Sequence, residues 1–282
     1  MSRPEATTVV FALLGGLLLV YLGLPLVYLF FQVEWSDVVA ALGNPRAVRA
    51  VEVSLVTSVI ATSIMTLLGV PLGYILARAS FPGRRFVIGV VFVPMVLPPL
   101  VGGILLLLLY GPYGVIGEVS EGFGMTLVNS LGGIVLAQVF VAAPYVVIAS
   151  HSAFAAVDER LEQAAATLGD YRGQIIRRVS LPLAWPGIAA GITLAWVRTL
   201  GEFGATLIMA YHPNTVPVFL WVQLTGEGLR AALPLALVLM ALAAGAMAGI
   251  YLVGVLPGGA AVVEPTKSWR ATRPTGRSPE DG

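Results

Sequence analysis

The sequence contains no cysteine at all, which excludes disulfides, thiolate metal sites and cysteine nucleophiles together. Charge is also scarce. Only 11% of the 282 residues are Asp, Glu, Lys or Arg, less than half of the roughly 25% found in soluble domains. The balance of those few charges is +1, so the chain lacks the basic excess of a nucleic-acid binder. Its two histidines, His151 and His212, stand too far apart in sequence to suggest a metal centre. No G-x-x-x-x-G-K-[ST] phosphate cradle occurs and no paired nucleophile and base is visible, so the chain carries no ATPase of its own. No internal repeat stands out. What is present is apolar: 57% of residues are hydrophobic and mean hydropathy is +0.90. This is the composition of an integral membrane protein.

A helix crossing a bilayer needs about 20 mostly apolar residues. Six stretches qualify, at about 8–31, 51–77, 86–110, 127–150, 187–211 and 233–256. Segments of alternating polarity that would indicate a membrane β-barrel are absent. The predicted fold is therefore all-α, with six transmembrane helices. The first stretch follows Arg3 but is too long for a signal-peptide core, and no small-residue cleavage site follows it, so it is read as retained. With both termini inside, the inner segments hold twelve Lys and Arg and the outer segments three, Arg46, Arg49 and Arg230. That asymmetry sets the expected orientation. Residues 1–256 are thus expected to form the membrane domain, and 257–282, rich in Gly and Pro and then polar, a tail expected to be disordered and cytoplasmic.

The inner loop between the fourth and fifth spans, about 157–182, is long and patterned. Asp158 is placed to cap a helix whose apolar stripe is Leu161, Ala164, Ala165 and Leu168. Gly169 sits where a C-terminal cap belongs. A second short helix is expected from about Tyr171 to Val179, ending before Pro182. Alanines on the stripe leave room for a close approach to a partner's groove; a surface helix covering the inner ends of the spans is the plainer alternative.

Gln163-Ala164-Ala165, then Gly169, then Val179-Ser180-Leu181-Pro182 resembles the Glu-Ala-Ala…Gly…Ile-x-Leu-Pro pattern in the coupling loop of ATP-binding-cassette importer permeases. Gln163 replaces the usual acid, although Glu162 stands beside it, and Val179 replaces Ile. The resemblance implies that a coupling helix between the fourth and fifth spans docks on a cytoplasmic ATPase. Glu162, Gln163, Ala164, Ala165 and Gly169 would make that contact, and Leu181 and Pro182 would anchor the return to the membrane.

Two further stretches narrow the likeness. Val93-Pro94-Met95-Val96-Leu97-Pro98-Pro99-Leu100-Val101-Gly102-Gly103 is similar to the third span of oxyanion permeases, and Arg198-Thr199-Leu200-Gly201-Glu202-Phe203-Gly204-Ala205-Thr206-Leu207 to the fifth span of molybdate permeases. Tungstate and sulfate permeases carry related versions. The implied assembly is a type I importer. It comprises a homodimer of this chain, two copies of an ABC ATPase that bind ATP and Mg, and an extracytoplasmic oxyanion-binding protein, all in a prokaryotic plasma membrane. No cofactor and no catalytic or metal residue is expected on this chain, and no nucleic acid. ATP binding would draw the coupling loops together and open the pathway outward.

Physical chemistry reads the same residues independently. Pro94, Pro98 and Pro99 remove helix hydrogen bonds and must kink or break the third span. Broken backbone at membrane depth persists only inside protein or beside a watery cavity, so these prolines are pathway candidates; a kink serving packing alone is the alternative. Arg198 and Glu202, four residues apart, can pair on one helical face as a gate or as a structural pair. Gly187/Gly191 and Gly245/Gly249 read as packing contacts. The rival of another class is an ion-driven secondary transporter, with a midplane site made of paired broken helices. A purely structural scaffold would have no use for the broken span.

Overall fold

The computed structural model describes residues 6–252, and every regular element among them is helical. Helix α1 spans Ala6–Gln32, followed by the short α2, Trp35–Gly43. Asn44 accepts the Arg46 N–H at 2.9 Å and Pro45 occupies the first turn, a pairing that starts α3, Pro45–Arg78. Helices α4 (Arg84–Val96) and α5 (Pro99–Tyr110) follow, then the short α6 (Val115–Gly122). Ser130 caps α7, Leu131–Ala155. The loop helices α8 (Glu159–Thr167) and α9 (Arg172–Ile175) lead through a π-helical turn, Ile176–Ser180, into α10, Leu181–Leu200. The chain ends its described course with α11 (Gly204–Met209), α12 (Val216–Gly226) and α13 (Leu229–Leu252).

Among the described residues five helices are long and apolar enough to cross a membrane, and six if the bent pair α4–α5 counts as one. Helices α3, α7 and α10 form the centre of the bundle. Small residues make that possible. A side chain at Gly73 would sit 2.5 Å from Ser150 Cβ, and one at Gly191 2.2 Å from Ala149 Cβ; Gly187 faces Ala153 in the same way. Backbones brought this close gain dispersion contacts that lipid-exposed leucines cannot supply. The packing expected of Gly187/Gly191 is therefore present, whereas Gly245 faces open space. Helix α1 is the opposite case: its apolar side chains point outward and it leans chiefly on α13.

The spans differ from their sequence boundaries in instructive ways. The second begins six residues earlier, at Pro45. The third is two helices meeting at 114°, because Leu97 and Pro98 adopt extended backbone between them. The fifth, expected over 187–211, is helical from Arg172 to Leu200, breaks at Gly201–Phe203 and resumes as α11. Pro182 does not stop the preceding helix. The Leu181 N–H reaches back five residues to Ile176 O, and this widened turn lets the chain run on into α10 with proline in its first turn. The sixth span starts at Leu229; its last expected residues, 253–256, and the tail 257–282 lie outside the described residues.

Candidate functional site

Two groups of residues singled out in the sequence come together in space, and each forms its own cluster. The first is the loop carrying α8. Asp158 accepts the Arg160 N–H at 2.9 Å and so caps the helix. At the other end the Gly169 N–H donates to Ala166 O and the Asp170 N–H to Ala165 O, the paired bonds of a Schellman motif. That motif needs a left-handed residue, and Gly169 has φ +95°. An Arg178–Asp170 ion pair at 3.1 Å ties the turn to the π-helical segment.

Of the expected stripe only Ala165 is buried; Leu161, Ala164 and Leu168 are exposed, Leu168 by 88%. Gln163 is also exposed. Glu162 instead turns inward. Its Oε1 accepts from Arg78 Nε at 3.0 Å, from Arg78 Nη2 at 2.9 Å and from Ser180 Oγ at 2.8 Å. Arg78 Nη2 also donates to Val157 O at 2.8 Å, and Glu159 stands 3.5 Å from Nη1. One carboxylate oxygen thus fastens α8 to the last residue of α3 and to the turn entering α10. Both side chains are largely shielded, so the pair escapes most of the screening that weakens surface ion pairs. Leu181 is half-buried, beside Phe154 and Val157, while the Pro182 ring is exposed.

The second cluster lies at the breaks in the third and fifth spans. Helix α11 packs directly on α5. A Cβ on Gly204 would meet Leu100 N at 2.9 Å and Pro99 Cβ at 3.1 Å; one on Gly103 would meet Ala205 Cα and Ile208 Cβ at 2.9 Å. The proline-broken stretch and the Gly-Glu-Phe-Gly stretch are therefore one interface. Glu202 is its most buried charge, 1% exposed, with Arg198 Nη1 2.8 Å away. The pair expected from the i,i+4 spacing is present, but the helix has already ended at Gly201. That break frees the other Glu202 oxygen to accept the Ala205 N–H at 2.8 Å, so the residue also caps α11. Pro94 and Pro99 are half-buried and Pro98 is exposed.

Sequence reasoning passed over a buried polar seam joining the central helices. Gln138 Nε2 on α7 donates to Thr57 Oγ1 on α3 and to Thr199 O on α10, each at 3.3 Å. Trp196 Nε1 donates to Ser58 Oγ at 3.1 Å, and the Val216 N–H to Ser54 Oγ at 2.8 Å. The available signal was Gln138 itself, an amide in mid-span. Arg78 and Ser180, the partners of Glu162, gave no comparable signal. No group of three metal-ligating side chains occurs among the described residues.

Residues 69–256 match the family model described as the binding-protein-dependent transport system inner membrane component, which takes in both clusters. The chain belongs to that family. Among curated relatives, the "Probable molybdenum ABC transporter permease protein" of Haloferax volcanii is 43% identical over 254 residues, covering 90% of this chain and 93% of the relative. The molybdate/tungstate transport system permease protein of Thermococcus kodakarensis is 39% identical over 246 residues, covering 86% and 94%. Among solved structures, a bacterial alginate ABC transporter bound to its periplasmic protein aligns with TM-score 0.69 at 17% identity, over 87% of this chain and 94% of its own. An inward-facing methionine ABC transporter aligns with TM-score 0.59 at 19% identity, over 74% and 95%. The permease is thus a multi-pass inner-membrane component with the transmembrane fold of an ABC importer.

Proposed function

We propose that this permease carries molybdate, with tungstate next in preference and sulfate third, across a prokaryotic plasma membrane. It would do so as a homodimer joined to two cytoplasmic ABC ATPases that bind ATP and Mg. The observation that carries the reading is the shared length and identity with permeases named for molybdenum and molybdate/tungstate, combined with a loop at α8 that keeps the pattern's spacing. The twelve-to-three distribution of Lys and Arg supports an orientation with both termini inside. Residues 1–256 form the permeation domain.

In this mechanism the exposed face of α8, with Gln163, Ala164 and Leu168, docks on the ATPase, while Glu162 faces the other way. Movement of α8 on ATP binding is passed through Glu162 to Arg78 and Ser180, and so to the ends of α3 and α10. The two helices carry it to the second cluster, where Pro94, Pro98, Pro99, Arg198 and Glu202 line or gate the passage. Pairing with Glu202 neutralises Arg198, which suits a passage that must release its anion. Selection then falls to an extracytoplasmic binding protein. This chain holds no cofactor and performs no hydrolysis.

The test is ATP-dependent uptake into proteoliposomes holding the permease, its ATPase and its binding protein. Molybdate uptake exceeding sulfate uptake, and lost when the ATPase is omitted, supports the reading. Sulfate preference overturns the substrate, and uptake without the ATPase overturns the transporter class.

A further inference from the structure

Beside the Glu162 latch lies a cavity of about 540 Å³ between α3, α7 and the π-helical turn. Its walls are apolar: Val70, Pro71, Ile75, Phe154, Ile176 and Leu181. Ala79, Tyr74 midway along the α3 wall, Arg78 and Arg172 complete the lining. Arg78 is already engaged by Glu162 and Val157 O. Arg172 is exposed, and no ion pair or side-chain hydrogen bond involves its guanidinium among the described residues. From Val70 to Arg78 the trough runs about 12 Å along α3 at 1.5 Å per residue. An apolar trough of that length ending in a free guanidinium fits one class of ligand, an acyl chain bearing an anionic headgroup.

We propose that this cavity binds an anionic phospholipid, with the headgroup phosphate on Arg172 beside Arg78 and the upper part of a chain along Val70, Pro71 and Ile75. Charge complementarity selects the occupant. Basic pockets between spanning helices on the cytoplasmic side hold anionic headgroups, whereas a zwitterionic headgroup brings no net charge to an arginine. Water filling a cavity with these walls would leave its aliphatic side chains wet, a cost that an acyl chain removes. The position has a consequence, since the headgroup would share Arg78 with Glu162 and so bear on the fastening of α8. The inference rests on placing the α8 end inside, and its test does not depend on transport.

Native mass spectrometry of the purified permease, titrated with phosphatidylglycerol or phosphatidylcholine, gives the readout. Phosphatidylglycerol should be retained preferentially. Arg172→Gln should reduce that retention about fivefold, the worth of one guanidinium at an anionic headgroup, and Arg172→Lys should restore most of it. Arg85→Gln, removing another exposed arginine of the same end, should leave it unchanged. Glycerol 3-phosphate, which lacks chains, should not compete. Equal retention of the two lipids, indifference to Arg172→Gln, or an equal loss with Arg85→Gln overturns the site. Competition by glycerol 3-phosphate at lipid concentrations shows a phosphate site and overturns the lipid assignment. A failure of ATP-driven uptake would leave these results standing, so the two readings fall separately.

Discussion

Gly204 and Gly169 both mark helix ends, yet opposite constraints hold them. At Gly204 the demand comes from neighbours: Leu100 N and Pro99 Cβ already fill the place of a side chain, and the backbone itself is ordinary. At Gly169 nothing stands within 4 Å, and the demand comes from its own φ of +95°. The first region is a packed junction of two broken spans and tolerates no added volume. The second is an open turn, fixed in shape and free in space. In the proposed mechanism the first would hold the passage and the second would meet the ATPase.

The largest expected effect is at the junction's buried charge. Glu202→Ala strips Arg198 of its partner and leaves the Ala205 N–H uncapped; because Arg198 keeps some exposure, the loss should be about 2–3 kcal/mol, below that of a fully buried pair. Thermal unfolding in detergent should show it as a large drop in midpoint or loss of folded yield, and an unchanged midpoint would mean that Arg198 is solvated. Glu202→Gln keeps an oxygen for the Ala205 N–H and should fall between the two.

Next comes volume. Gly204→Val should cost about 1–3 kcal/mol by overpacking, with Gly204→Ala costing less. At Gly169 the order changes, because backbone and not space sets the cost. Gly169→Ala should already lose about 1–2 kcal/mol, the left-handed penalty, with Gly169→Asn losing less. A size-graded series at 169, or a flat one at 204, would break the contrast. The same melting series on both positions decides it.

How far the sequence reveals these regions follows from the same contrast. Gly169, Asp158 and the α8 caps obey local rules of backbone and hydrogen bonding, and local rules can be read from a string. The proline break was legible for the same reason, since the missing N–H groups belong to the prolines themselves. The contact of Pro99 with Gly204 joins residues about a hundred positions apart, and nothing local encodes it. Glu162 is the sharper lesson. Its place beside Gln163 suggests a contact outward to the ATPase, but its partners are Arg78, 84 residues back, and Ser180. The helix through Pro182 was missed because a π-helical turn moves the hydrogen-bond ladder by one residue, which no propensity anticipates.

The latch is expected to matter more for function than for stability, because Arg78 keeps Val157 O and Glu159 when the Glu162 charge is removed. Glu162→Gln keeps one acceptor oxygen and the shape of the loop, so α8 should still fold and dock. The central claim is that movement passes from α8 to α3 and α10 through this residue. The most direct measurement is ATP hydrolysis and molybdate uptake recorded together, in proteoliposomes of the full complex carrying Glu162→Gln. The account predicts hydrolysis near the wild-type rate with uptake lowered about tenfold, equivalent to about 1.4 kcal/mol of lost coupling. An unchanged ratio of anions moved to ATP hydrolysed would contradict it.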